Sequence, residues 1–179
     1  NFDTKQGSGW MVTGSATADL PHKWYNISYS IQISENKLDI SGRMTDDVAG
    51  NEMIEYKLFA AQAGLFMHAK IIGSNLTLDF GPYLQYNGKL ELQNSNQENY
   101  FINNYDLLKS QDIEDISQFN INGAIGLTAG IGPVKIRGQY IYGFLNSLNK
   151  LNDQDLNLNN SEEFKGNMSM FAFTAMFTF

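Results

Sequence analysis

Two histidines, His22 and His68, are the only imidazoles in the chain, and there is no cysteine. Without cysteine there is no thiol nucleophile, no zinc ribbon and no disulfide framework. His22 sits beside Pro21 in a short turn, while His68 lies near the end of an alternating run. A Ser–His–acid hydrolase would have to use His68. No Gly-x-Ser-x-Gly elbow accompanies it, so no catalytic residue is assigned. Asp153-Gln154-Asp155-Leu156-Asn157 opens like a calcium loop. Leu158 stands where that loop needs glycine, and Phe164 where it needs its last acid. The stretch reads as a solvated acidic loop, and neither a metal nor a cofactor is assigned. Four sequons, at Asn26, Asn75, Asn159 and Asn167, are what chance produces in an asparagine-rich chain.

The balance of charge narrows the partners. Twelve Lys and Arg against nineteen Asp and Glu give a net charge of −7. An acidic surface of this kind excludes nucleic acid, whose phosphates need a basic face. Hydrophobic residues make up 42% and charged residues 17% of the 179, which excludes a disordered chain. No apolar run approaches the ~20 residues of a membrane helix. No basic segment followed by an apolar one opens the sequence, so a signal peptide is expected to lie outside it.

The elements that must position these side chains are strands, because the period is two almost throughout. From Leu76 to Leu92, Leu76, Leu78, Phe80, Pro82, Leu84, Tyr86, Gly88, Leu90 and Leu92 share a face. Thr77, Asp79, Gly81, Tyr83, Gln85, Asn87, Lys89 and Glu91 share the other. Seven strands are predicted, over 9–20, 24–34, 53–69, 75–92, 117–131, 133–145 and 166–179. Between Met53 and Ala69 the phase is lost, which predicts a bulge near Ala60–Gly64. Connections alternate between short turns and the long segments 35–52, 93–116 and 146–165. These long segments hold fourteen of the nineteen acids: Glu35, Asp39, Asp46, Asp47, Glu52, Glu98, Asp106, Asp112, Glu114, Asp115, Asp153, Asp155, Glu162 and Glu163. Short and long connections in alternation describe an antiparallel up-and-down meander with every long loop at one end, as in transmembrane β-barrels.

The polar face is mild and poorly charged, unlike a soluble surface. Trp10, Trp24, Tyr25, Tyr86, Tyr142, Phe177 and Phe179 fall at strand ends, where a membrane barrel carries its aromatic girdles. The expected packing is therefore apolar side out to lipid and polar side in to the lumen. Glu55, Lys57, Asp79, Lys135 and Arg137 are expected to pair there, since unpaired buried charge is costly.

The stretches Tyr56–Phe66, Leu76–Tyr86 with its Gly81-Pro82 step, Asn122–Gly130 and the Phe-ended tail resemble the PorT-like outer-membrane β-barrel family of Bacteroidota. The tail departs from the family pattern at Thr174, where glycine is common. The resemblance implies an all-β, eight-stranded barrel in the bacterial outer membrane, long loops outside and C-terminus in the periplasm. It also implies contact with outer-membrane lipid and lipopolysaccharide. The family's founding member is associated with type IX secretion, and its pattern carries no catalytic residues. Closed bacterial barrels have even strand numbers, so one further strand is expected ahead of Asn1. The function expected is a structural or partner-binding barrel, an accessory subunit of a larger outer-membrane assembly. The alternatives are a narrow porin-like channel and a soluble lipocalin-like carrier of a hydrophobic ligand.

Overall fold

A computed structural model describes residues 2–45, 52–105, 108–153 and 163–179. Nine strands form one antiparallel sheet: β1 (Thr4–Lys5), β2 (Gly9–Ala18), β3 (Tyr25–Arg43), β4 (Glu52–Ile72), β5 (Leu76–Leu92), β6 (Phe101–Ile102), β7 (Phe119–Ile131), β8 (Val134–Gly143) and β9 (Ser169–Phe177). The seven long ones follow each other in chain order, β2-β3-β4-β5-β7-β8-β9. The short β1 and β6 both pair with the upper part of β3. Tight hairpins join the strands at one end, the turn end. At Gly132-Pro133 the glycine takes φ +59°, which the first position of a two-residue hairpin loop requires.

The sheet curls, so that its inner face meets itself. The Arg137 guanidinium of β8 lies 5.9 Å from the Phe66 ring of β4. Thr174 Oγ1 of β9 comes within 3.6 Å of Met11 Sδ of β2. No backbone ladder joins β2 to β9 among the described residues. The sheet is thus open along a seam, where the sequence predicted a closed eight-stranded barrel.

Polarity inverts halfway up the strands. Near the turn end β3 points Tyr29, Ile31 and Ile33 outward and buries Asn26, Ser28, Ser30, Gln32 and Ser34. Above Ser34 the same outward row continues as Glu35, Lys37 and Asp39, and the inward row as Leu38 and Ile40. On β4 the outward row changes from Glu55 and Lys57 to Phe59 and Leu65, while the inward row changes from Ile54, Tyr56 and Leu58 to Gln62 and His68. The lower tier is inside-out and the upper tier is built like a soluble protein.

The upper tier closes over an apolar core. Ile40, Ile54, Tyr56, Leu58 and Leu90 from the strands pack with Ile102, Tyr105, Leu108, Ile113, Ile116, Leu151 and Phe164 from the long connections. Each such side chain contributes ~1.5–3 kcal/mol by leaving water. The acid-rich long connections therefore supply more than half of the buried side chains of a hydrophobic cap. The Tyr56 hydroxyl donates to the Ser110 carbonyl at 2.9 Å, and burial pushes its phenol above the usual value. Tyr105 is raised by burial as well. A folded-state pKa above the unfolded value gives stability that is full below pH ~10 and lost as pH rises past it. Urea unfolding followed by tyrosine fluorescence is expected to show this alkaline loss and to show it diminished in Tyr56→Phe. An unaltered pH slope in the variant would contradict the assignment.

Three expectations about the strands need correction. The segment 35–43 is not loop, because β3 runs on to Arg43 and pairs with β4 without a break up to Gly42↔Glu52. Glu35, Asp39 and Glu52 are accordingly strand residues. The bulge predicted at Ala60–Gly64 is absent from the β3–β4 ladder. Instead, the β4–β5 register shifts between Leu58↔Leu90 and Ala60↔Asn87, so that Gly88 and Lys89 oppose Phe59 alone. That extra residue turns Leu90 and Leu92 inward and Lys89 and Glu91 outward, the reverse of the unbroken alternation. Asp46, Asp47, Asp106, Asp155 and Glu162, together with Gln154–Leu158 of the calcium-like stretch and the Asn159 sequon, lie outside the described residues.

Candidate functional site

Alternation aims the lower-tier polar residues at one another, and register decides which of them meet. Five directly opposed residues on successive strands, Thr13, Gln32, Gln62, Gln85 and Asn120, make a belt across the inner face. The amides run head to tail: Gln32 Nε2 donates to Gln62 Oε1, Gln62 Nε2 to Gln85 Oε1, and Gln85 Nε2 to Asn87 Oδ1. Tyr83 adds its hydroxyl to Gln32 Oε1 at 3.2 Å, and Asn122 Nδ2 donates to Gln85. Donors and acceptors aligned in one sense polarise each other and hold the belt rigid. It lies just beneath the apolar cap.

Nearer the turn end is a charge cluster. Asp79, 1% exposed, stands directly opposite His68. Its Oδ1 lies 2.7 Å from His68 Nδ1 and accepts from Thr77 Oγ1 at 2.6 Å. Its Oδ2 faces Arg137 Nε at 3.0 Å and accepts from Thr128 Oγ1. One carboxylate thereby meets four partners, which is what a buried charge needs to stay ionised. His68 Nε2 is 2.7 Å from Ser28 Oγ. A carboxylate only accepts, so Nδ1 carries a proton directed at Asp79, and in the neutral ring Nε2 accepts from the serine.

Ser28, His68 and Asp79 are thus connected in the order of a hydrolase triad. Three features argue against acyl transfer. Ser28 is 2% exposed. It sits inside an unbroken double ladder, opposite both Thr17 and Phe66, so no freed pair of backbone N–H groups is present to hold an oxyanion. Arg137 also ties the far oxygen of Asp79. The arrangement neutralises charge and cross-links strands. Among the described residues no three His, Asp or Glu side chains converge on a metal position.

Of the five charges expected to share the interior, Asp79 and Arg137 meet. Lys135 lies on the same inner face nearer the turn end, half-buried, with no carboxylate in ion-pair range among the described residues. Glu55 and Lys57 do not join them. They point outward in the upper tier, where Lys37 pairs with Glu55 at 2.9 Å and Glu35 with Lys57 at 3.9 Å. Sequence reading placed them inward because it carried the lower-tier polarity past the inversion. The aromatic positions Trp10, Tyr86, Tyr142 and Phe177 are exposed on the outer face, Trp24 and Phe179 are exposed just beyond the strand ends, and Tyr25 is half-buried against Trp24. Tyr86 stacks edge-on with Phe119 at 5.3 Å along the line where polarity inverts. Compared with family models, with curated proteins and with solved structures, the chain has no match.

Proposed function

We propose that this chain is an outer-membrane β-barrel protein without catalytic or pore activity, whose capped upper tier is presented outside the membrane as a docking platform in a larger assembly. The observation that carries the reading is the inversion of polarity. Below it, the outward rows of all seven long strands, from Trp10–Ala18 through Phe171–Phe177, contain no Asp, Glu, Lys, Arg or His. On β3 this row covers Tyr25–Ile33, about 20–23 Å of height for a strand tilted by ~40°, close to the ~25 Å apolar band of a membrane barrel. Trp10, Phe59, Tyr86 and Phe119 edge it at the inversion, and Trp24 and Phe177 at the turn end. A soluble carrier would turn these rows inward. The likeness to PorT-like proteins supports the same reading, with lipopolysaccharide and lipid around the wall.

The interior speaks against conduction, because the amide belt spans it and the apolar cap closes it above. Spin labels on cysteines placed at Leu78 and Leu84 are expected to be quenched by oxygen in lipid, and one at Lys89 by a water-soluble quencher. The same preparation in planar bilayers is expected to give no steady conductance. Water-soluble quenching at Leu84 would sink the membrane assignment, and a stable conductance would restore the porin reading.

A further inference from the structure

The inner face at the turn end holds more positive charge than the described residues neutralise. Lys70, Lys135 and Arg137 all point inward there. Lys70 is satisfied: its Nζ donates to the Leu20 carbonyl at 2.9 Å and lies 3.6 Å from Asp19. Arg137 Nε faces Asp79 and donates to Thr128 Oγ1 at 2.9 Å. Asp79 is saturated, because its two oxygens already meet His68, Thr77, Thr128 and Arg137. Lys135 is half-buried and has neither a hydrogen bond nor a carboxylate in range among the described residues. A cation drawn out of water in this way is costly until an anion joins it. Arg137 carries a second demand. Its side chain is 10% exposed, yet of its N–H groups only the one on Nε meets an acceptor among the described residues. The two terminal nitrogens keep all their donors.

The sheet sets these donors side by side. Lys135 and Arg137 are two residues apart on β8, so they share a face with about 7 Å between their Cα atoms. Both lean over β7. Arg137 reaches Thr128, and the Lys135 stem lies against Gly130, where a Cβ would come within 2.6 Å of the lysine Cγ. Thr174 stands directly opposite Arg137 on β9 and adds a hydroxyl. We propose that this region is an oxyanion site whose ligand is a phosphate group, held by the Lys135 ammonium and the terminal nitrogens of Arg137. Two features favour phosphate over a carboxylate. The guanidinium fork takes two oxygens of one anion, and a tetrahedral phosphate has a third to offer the lysine outside that plane. The donors also outnumber what a carboxylate can accept. The site belongs to the inner face, so it does not depend on what covers the outer one. It binds without conducting, since the amide belt and the apolar cap lie above it.

The test follows the reactivity of Lys135 in the unaltered folded protein, held in phosphate-free maltoside micelles at constant ionic strength. Acetylation by an N-hydroxysuccinimide ester is mapped by mass spectrometry, with the exposed Lys89 of the outer face as reference. Inorganic phosphate is expected to slow acetylation of Lys135 saturably and to leave Lys89 unchanged. A parallel arm with short-chain phosphatidylglycerol tells a lipid headgroup from the free ion as the source, and selective protection by either supports the site. Calorimetry gives a second reading. Phosphate affinity is expected to fall by about tenfold or more in Lys135→Met, which leaves the Asp79–Arg137 pair in place, and to stay unchanged in Lys89→Met. Protection by neither phosphate source, protection by acetate equal to that by phosphate, or equal slowing at Lys89 would each overturn the proposal. Unchanged phosphate affinity in a folded Lys135→Met would do the same.

Discussion

Replacing Asp79 with alanine is expected to lower the unfolding free energy by about 3–5 kcal/mol, the usual consequence of removing one partner from a buried ion pair. The size follows from what is left behind. Arg137, whose side chain is 10% exposed, loses its only carboxylate among the described residues. His68 loses the acceptor for its Nδ1 proton, and Thr77 and Thr128 lose theirs. Two further variants separate charge from packing. Arg137→Met keeps apolar bulk against the Phe66 ring and leaves Asp79 with its three other partners. The double variant Asp79→Ala/Arg137→Met leaves no stranded cation, so it is expected to be more stable than Asp79→Ala alone. Denaturant unfolding of all three closes the cycle. If removal of Arg137 rescues nothing, the ion pair is not what the lower tier depends on.

The lower tier was legible because apolar outward-facing and polar or small inward-facing residues alternate with period two in each of its strands. The inversion was not, and it misled in opposite ways on neighbouring strands. On β5 the extra residue at Gly88–Lys89 shifts the phase by one at the height where the environment reverses polarity. The two changes cancel, so the apolar residues from Leu84 to Leu92 keep one parity and the run reads as a single lipid face. On β4 no extra residue compensates against β3. Apolar residues move from the Ile54–Leu58 parity to the Phe59–Leu65 parity, and the reversal of environment reads as a lost phase. The segment Glu35–Arg43 was missed for a related cause. Its charges are outward and only Leu38 and Ile40 face the core, so it carries the composition of a loop. The pairing of His68 with Asp79 depends on register, which the turn around Gly73, with its φ of +52°, sets only together with the register shift between Lys70 and Ile72, and the alternation of the sequence does not display that shift. The bond from His68 to Ser28 is a diagonal contact across β3 and β4, which no periodicity displays.

On the proposed membrane reading, a single arginine moved along the outer face of β5 is expected to trace the edge of the apolar band as a stability profile. Phe80 lies in the middle of the apolar band, Tyr86 at its edge and Glu91 above it, all on the outer face. Arginine on the lipid face costs ~2–4 kcal/mol at the midplane and ~0–1 near the interface. Phe80→Arg, corrected by Phe80→Ala for lost packing, is therefore expected to cost ~2–4 kcal/mol on folding into phosphatidylcholine vesicles. Tyr86→Arg is expected to cost less, because its guanidinium reaches the headgroups, and Glu91→Arg close to nothing. The inner face must give the opposite gradient if the two tiers are what the polarity says. Leu90, 4% exposed in the cap, tolerates no arginine, since a charge there has neither water nor an anion. Gly81 marks the other half of the comparison on the same strand. A Cβ there would sit 2.0 Å from the Leu65 carbonyl oxygen, so it fails for want of space whatever the charge, and arginine and alanine are expected to be equally damaging. A profile that is flat from Phe80 to Glu91, or steepest at Glu91, would mean that the apolar band is covered by protein and not by lipid.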